Sequence, residues 1–300
     1  MRFNAYNLSI ESELTLPELL PCLSTNSADV DIRIGSVRDD GIRDGEQLGP
    51  FLWATTSALW LKVPHIARFL ITDGNAITID PEQGIDEDSI RVFLLGSALG
   101  ALLFQRGYLV LHGNAIRIGD QCMVCVGHSG AGKSTLAAGF MQRGYEILAD
   151  DVVPVDKDCQ ALPGFPRIKL WQDVADKLSI DTTGLRRIRP NTEKYNYPLG
   201  ELFSQTALPI RWIYILSSDH VEAIEFHHIQ GMQRFLPLRN NTYRLSFLNG
   251  LGLKADHLKL CGQLAGQIRL TRLVRPKTGF KLDELIDHLI ADMAANPWTL

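Results

Sequence analysis

The sequence predicts an α/β fold, on three observations. Short strands with turn residues between them fill the first eighty or so residues. A glycine-rich loop motif at 127–134 lies between an apolar strand and a helix. Two helical segments close the chain.

Along the chain, Asp29 to Ile34 alternates with period two, and Ala58–Val63, Ala67–Thr72 and Ala76–Asp80 read as short strands. Asp73-Gly74-Asn75 supplies a hairpin turn between the last two. Residues 1–85 therefore form a small β-rich accessory domain, and 86–300 a second, larger one. Acids at Asp86, Glu87 and Asp88 suit the start of a helix that runs to Arg106-Gly107. A strand over Tyr108–Ile118 follows, then a turn at Gly119-Asp120 and a strand over Cys122–Val126. After the loop, a helix reaches about Arg143, with Gly144 as its cap, and Glu146–Ala149 is a strand that ends in Asp150-Asp151. Trp171–Leu178 is a short helix, Arg211–Ser217 and Ala223–His228 are strands, and Asp256–Ile268 and Leu282–Ala295 are helices.

Composition bounds the function. The chain has 300 residues, 45% hydrophobic and 21% charged, with a formal net charge of −4. No global positive field recruits nucleic acid or anionic lipid. The longest apolar run, Val92–Phe104, is shorter than the roughly 20 residues a bilayer demands, and Met1 to Ala5 carries no apolar leader. A soluble, cytoplasmic protein that binds neither membrane nor nucleic acid is expected. Cys22, Cys122, Cys125, Cys159 and Cys261 form no disulfide framework. Cys122 and Cys125 make a C-x-x-C with no second pair to complete a zinc site, inside an apolar strand, which marks them as core residues.

Gly127-His128-Ser129-Gly130-Ala131-Gly132-Lys133-Ser134 fits G-x-x-x-x-G-K-[ST] at every fixed position, and Thr135 continues into the helix. At ordinary glycine frequency such a match arises by accident in about one chain per hundred, and the flanking strand and helix lower that further. Glycines let backbone N–H groups close around phosphates at a helix N-terminus, where anions are favoured. Lys133 would reach the β and γ phosphates of ATP, and Ser134 would hold Mg²⁺. Asp150 and Asp151 follow seventeen and eighteen residues after Lys133. Two adjacent acids at a strand end allow one to serve the metal and the other to accept the proton of an attacking hydroxyl. His112, at the end of the strand before Gly113, could hydrogen-bond one of them.

With these elements in place, the chain resembles the catalytic domain of HPr kinase/phosphorylase. His112-Gly113, the loop Gly127–Ser134 and Ala149-Asp150-Asp151 match that family's motifs and their spacing, firmly over residues 105–157 and loosely beyond. The resemblance implies a core related to phosphoenolpyruvate carboxykinase and phosphorylation of a serine hydroxyl. It implies Asp151 as general base, His112 as its partner, Lys133 as the γ-phosphate contact, Ser134 as an Mg²⁺ ligand and Asp150 in the metal's outer environment. The family is hexameric, so a homo-oligomer is among the expected states. The family's acid after the Asp-Asp strand has no counterpart in Leu162–Trp171, and His128 stands where the family has Asp. The segments Tyr6–Leu20 and Pro163–Trp171 are similar to the HPr-kinase-like enzymes of lasso peptide pathways, which implies a precursor peptide as acceptor. Among the basic residues of the variable stretch, Arg167, Lys169 and Lys194 are the candidates to hold substrate. Two alternatives stay open: a nucleotide-binding regulatory protein without phosphotransfer, and a kinase of a small hydroxylated metabolite.

Overall fold

The computed structural model describes residues 1–279 and 281–297; Phe280 and the last residues of the 86–300 segment lie outside it. The architecture is mixed α/β, with two large sheets.

The first sheet holds β1 (Arg2–Ala5), β2 (Leu8–Ser12), β3 (Leu20–Pro21), β4 (Val30–Ile34), β5 (Glu46–Gly49), β6 (Leu52–Ala54), β7 (Ala58–Val63), β8 (Ala67–Thr72) and β9 (Ala76–Pro81). Their order is β3-β1-β2-β4-β9-β8-β7-β6-β5. The alternation legible in the sequence is the alternation of burial: Ala67, Phe69 and Ile71 of β8 are buried, and the residues between them are half-buried. At the turn between β8 and β9, Asp73 and Gly74 are both left-handed, and Asn75 N–H donates to Thr72 O at 3.1 Å. β1 and β2 are joined by Tyr6-Asn7, also left-handed, at φ 56° and 59°. That two-residue hairpin contains no glycine, so nothing in the sequence announces it.

Across this sheet lies one helical rod, α1 (Glu87–Phe93) and α2 (Leu99–Gln105), with a π-helical stretch over Leu94–Ala98 between them. Asp86 caps it, accepting from Ser89 N–H at 2.7 Å. Ile90, Leu94, Leu95, Ala98, Leu102 and their neighbours share one core with Phe69, Ile71 and Ile77 of the sheet. No helix among the described residues is long and apolar enough to cross a membrane.

The chain then runs β10 (Leu109–Leu111), β11 (Gly113–Ile118), β12 (Gln121–Val126), α3 (Lys133–Gln142), β13 (Ile147–Asp150), β14 (Val153–Val155), β15 (Gln160–Ala161) and β16 (Arg167–Trp171). It continues through α4 (Gln172–Lys177), β17 (Lys194–Pro198), β18 (Leu208–Asp219), β19 (Glu225–Ile229), α5 (Phe235–Asn240), α6 (Phe247–Gly250), α7 (Lys254–Gln267), β20 (Arg269–Pro276) and α8 (Leu282–Ala295). β16 and β17 form a separate antiparallel ribbon. The other strands make the second sheet.

The expected single strand over Tyr108–Ile118 is two strands in the structure, broken at His112. β10 pairs with β14, whereas β11 pairs with β12 and β13. Gly113 explains the break: a Cβ there would stand 2.4 Å from Cys125 O, so only glycine lets the chain cross to β12. Cys122 and Cys125 are fully buried on β12, as the sequence indicated, and burial pushes both thiols far up.

Pairing fixes where chemistry can gather. β11 is antiparallel to both β12 and β13, so β12 and β13 point the same way. β18 is parallel to β12 and β20 is parallel to β18. The C-terminal ends of all four strands, and the start of β11, therefore share one edge of the sheet. In open α/β sheets that edge is where ligands bind.

Candidate active site

The loop from Gly127 to Gly132 leaves β12 at that edge and enters α3. Gly127 has φ 146°, and a Cβ there would sit 2.7 Å from Leu216 O on β18. The close approach of loop to neighbouring strand thus requires glycine. α3 is fixed from both sides: Leu136, Ala137 and Phe140 are buried, and α8 lies over Gly139 through Leu282 and Ile286. Past its last turn, Arg143 pairs with Asp287 at 2.6 Å and Asp283 at 3.0 Å.

Lys133, the first residue of α3, folds back into the loop. Its ammonium donates to Gly127 O at 2.8 Å and His128 O at 3.1 Å. Burial lowers its pKa, so a nearby anion would be strongly favoured. Beneath it, the fully buried Asn114 of β11 donates its Nδ2 hydrogen to Lys133 O, tying β11 to the start of α3. A lone asparagine in the apolar run Leu109–Ile118 was a legible signal for this role.

Asp150 ends β13 and accepts from the Lys169 N–H at 2.8 Å; its other oxygen lies 3.3 Å from Ser134 Oγ. Burial, then the charge of Asp151, raises its pKa. Asp151 turns away into a left-handed conformation, φ 77°, that aspartate tolerates better than most residues. Burial pushes its pKa up, but Lys169 outweighs that: its Nζ stands 2.8 Å from Asp151 Oδ2 and, with His112 and Lys194, holds the carboxyl well below its usual range. His112 Nδ1 is 3.0 Å from Asp151 O and 3.5 Å from Asp151 Oδ1. A carbonyl oxygen only accepts, so Nδ1 carries the proton, and the neutral ring keeps Nε2 as an acceptor. Burial and then Lys133 lower the pKa of His112, which favours that neutral form.

These side chains open on one cavity of about 680 Å³. His112, Ser129 to Thr135, Asp150, Asp151 and Lys194 all line it, whereas Gly127 and His128 face a neighbouring, smaller cavity. Trp171, Lys177, Arg275 and Lys277, none of them singled out from the sequence, line it as well. Lys194 Nζ stands 5.2 Å from the Trp171 ring, its cross-strand partner. Lys169 is not in the wall; it is spent on Asp151. Arg167 lies deeper, 7% exposed, over the Phe165 ring and facing Glu18, Asp150 and Asp151. The first sheet reaches this layer too: Tyr6 N–H donates to Pro163 O at 2.7 Å, and its ring meets Phe165 at 5.2 Å.

Magnesium ion prefers oxygen ligands and keeps waters and phosphate oxygens in its shell. Ser134 Oγ and Asp150 Oδ1 offer two such oxygens beside the loop, so the residues present fit that ion. Among the described residues no group of three or more His, Cys, Asp or Glu converges as a self-sufficient metal site.

One neighbour left no trace in the sequence. Residues Asn241–Tyr243 run beside β10: His112 N–H donates to Asn241 O at 2.8 Å, and Tyr243 N–H to Val110 O at 2.8 Å. The Tyr243 ring packs between Gly100 of α2 and His112, with ring centroids 5.7 Å apart at the latter. The Tyr243 hydroxyl lies against Gly96, so the π-helical stretch of the rod backs the same ring, and such bulges are frequent at functional sites.

No family model matches the chain, and no curated protein matches it. Among solved structures, the chain is similar to the Hpr(Ser) kinase/phosphatase from Coxiella burnetii, at 13% identity over 62% of this chain and 90% of that one, with a TM-score of 0.27.

Proposed function

We propose that the protein is an ATP-dependent kinase with a P-loop core of the HPr kinase type. It transfers the γ-phosphoryl group to a hydroxyl of a peptide or protein, a serine of a ribosomal precursor peptide in the reading favoured by its lasso-pathway resemblance. The observation that carries this is the shared cavity: Asp151, held ionised by Lys169, lines the same space as the loop residues 129–134.

In this reading the bond from γ-phosphorus to the β,γ-bridging oxygen breaks, and its electron pair leaves on ADP. The acceptor oxygen bonds to phosphorus, and its proton passes to Asp151. Paired with an ammonium, Asp151 is a weak base. That suffices for a loose transition state, in which the acceptor loses its proton late. Loop amides and Lys133 stabilise the phosphate oxygens. Mg²⁺, held by Ser134 with Asp150 beside it, would neutralise charge on the β and γ phosphates. His112 fixes the Asp151 backbone and carboxylate.

A second reading is a nucleotide-binding regulator without transfer, and the ion pair that already occupies Asp151 favours it. A small hydroxylated metabolite as acceptor is the third. Purified protein given γ-labelled ATP, Mg²⁺ and serine peptides, then small alcohols, separates them. Label in peptide supports the proposal, and label only in a small molecule supports the third reading. Bound ATP with no label transferred anywhere supports the regulator.

A further inference from the structure

Beside the nucleotide cavity lies a second, smaller one of about 330 Å³. One wall is the outer face of the loop, Gly127 to Ser129; the other is the segment Asn240 to Arg244; His112 forms the floor. His112 and Ser129 line both cavities, so the two meet at the side chain that holds Asp151. Anything lodged in the groove thus lies against His112 and Ser129, the two residues it shares with the cavity that Asp151 lines.

The segment is built to present a cation there. Pairing with β10 fixes Asn241 to Tyr243, and the next residue, Arg244, takes a left-handed φ of 42° that a non-glycine residue adopts only when held. Phe247 N–H donates to Arg244 O at 2.9 Å, which closes the turn. The guanidinium lies 5.8 Å from the Tyr243 ring centroid and 6.0 Å from that of Phe247. Arg244 is exposed and makes no ion pair with a carboxylate among the described residues. It is a cation on a held backbone, lying against two aromatic rings, with its hydrogen-bonding capacity to spare. The groove's other exposed polar residues, His128, Ser129 and Asn240, bring no negative charge.

We infer that this groove is the acceptor site, and that Arg244 selects a hydroxyl-bearing peptide segment with an acidic side chain close to the acceptor serine. The inference rests on the kinase reading above and adds which face the acceptor uses and what charge it carries. Guanidinium is well suited to bidentate recognition of carboxylate.

The test uses the full chain, ATP and two matched sets of serine heptapeptides. One set carries Asp or Glu within two residues of the serine; the other carries Asn or Gln at the same positions. Wild type should favour the acidic set by about tenfold in kcat/KM, equivalent to about 1.4 kcal/mol. Arg244→Asn, which keeps the left-handed backbone, should erase the preference with ATP affinity unchanged. Arg244→Lys should restore part of it, and Asn240→Asp should also reduce it. Transfer without charge preference in wild type, or an Arg244→Asn variant that keeps the preference or loses ATP affinity, overturns the groove assignment alone. No label in either set, with ATP still bound, overturns the kinase reading and the groove with it.

Discussion

Replacing Asp151 by asparagine isolates the proton acceptor of the proposed reaction. Asparagine has the same shape and tolerates the left-handed backbone at φ 77°, whereas alanine would add roughly 1 kcal/mol of strain. Losing a positioned general base costs about a hundredfold to ten-thousandfold in rate, or about 3–5 kcal/mol of barrier. The substitution also strips Lys169 of its ion pair. That bond spans 2.8 Å between side chains 12% and 29% exposed. Allowing for partial screening, its loss should lower stability by about 1–2 kcal/mol. In the proposed reading the nucleotide contacts come from other residues, so ATP affinity should stay within about threefold, less than 0.7 kcal/mol. Single-turnover transfer of γ-label, titration with a fluorescent ATP analogue and urea unfolding read the three quantities separately. A kcat within tenfold of wild type would refute the assignment of Asp151, whatever happens to stability.

Lys133→Ala should weaken both ATP binding and transfer, because it removes the ammonium at the centre of the loop; the same titration and transfer assays read both losses. Ser134→Ala should raise the Mg²⁺ concentration needed for half-maximal transfer, measured by metal titration, and EDTA should abolish transfer by wild type. Gly113→Ala should lower the unfolding midpoint, since its methyl meets Cys125 O at 2.4 Å and overpacking costs about 1–3 kcal/mol. His257, buried beside Thr242, has its pKa pushed down by burial and then by Arg239 to about 4. Its folded value lies below its unfolded one. Between about pH 6.5 and 4 the unfolded chain therefore binds a proton that the native state refuses, and stability falls with pH by up to about 1.4 kcal/mol per unit. His257→Gln should flatten that stretch of the urea midpoint against pH.

Local and periodic features were legible in the sequence. Alternating apolar residues gave β7, β8 and β9; the acids at 86–88 and the Arg106-Gly107 pair bounded the helical rod; fixed glycines marked the loop. Such signals survive in a string of residues because strand alternation, helix capping and tight turns depend on neighbours a few positions apart. The short strands β1, β2, β3, β5, β6, β14 and β15, and the ribbon β16–β17, were not read, because two to five residues hold too little periodicity; the eight-residue β20, broken by Arg269, Arg272 and Arg275, was not read either.

By itself, the sequence determined that the chain carries a glycine-rich loop between a strand and a helix, an acid pair at a strand end and a histidine before a glycine. The tertiary structure alone decided that these meet. The antiparallel placement of β11 between β12 and β13 brings three separate strand ends to one edge. It also decided the partners: Lys169 on Asp151, Asn114 under Lys133, and Tyr243 against His112. Each of these contacts joins residues far apart in the chain, and pairing over such distances is fixed by register and packing, which no local pattern encodes.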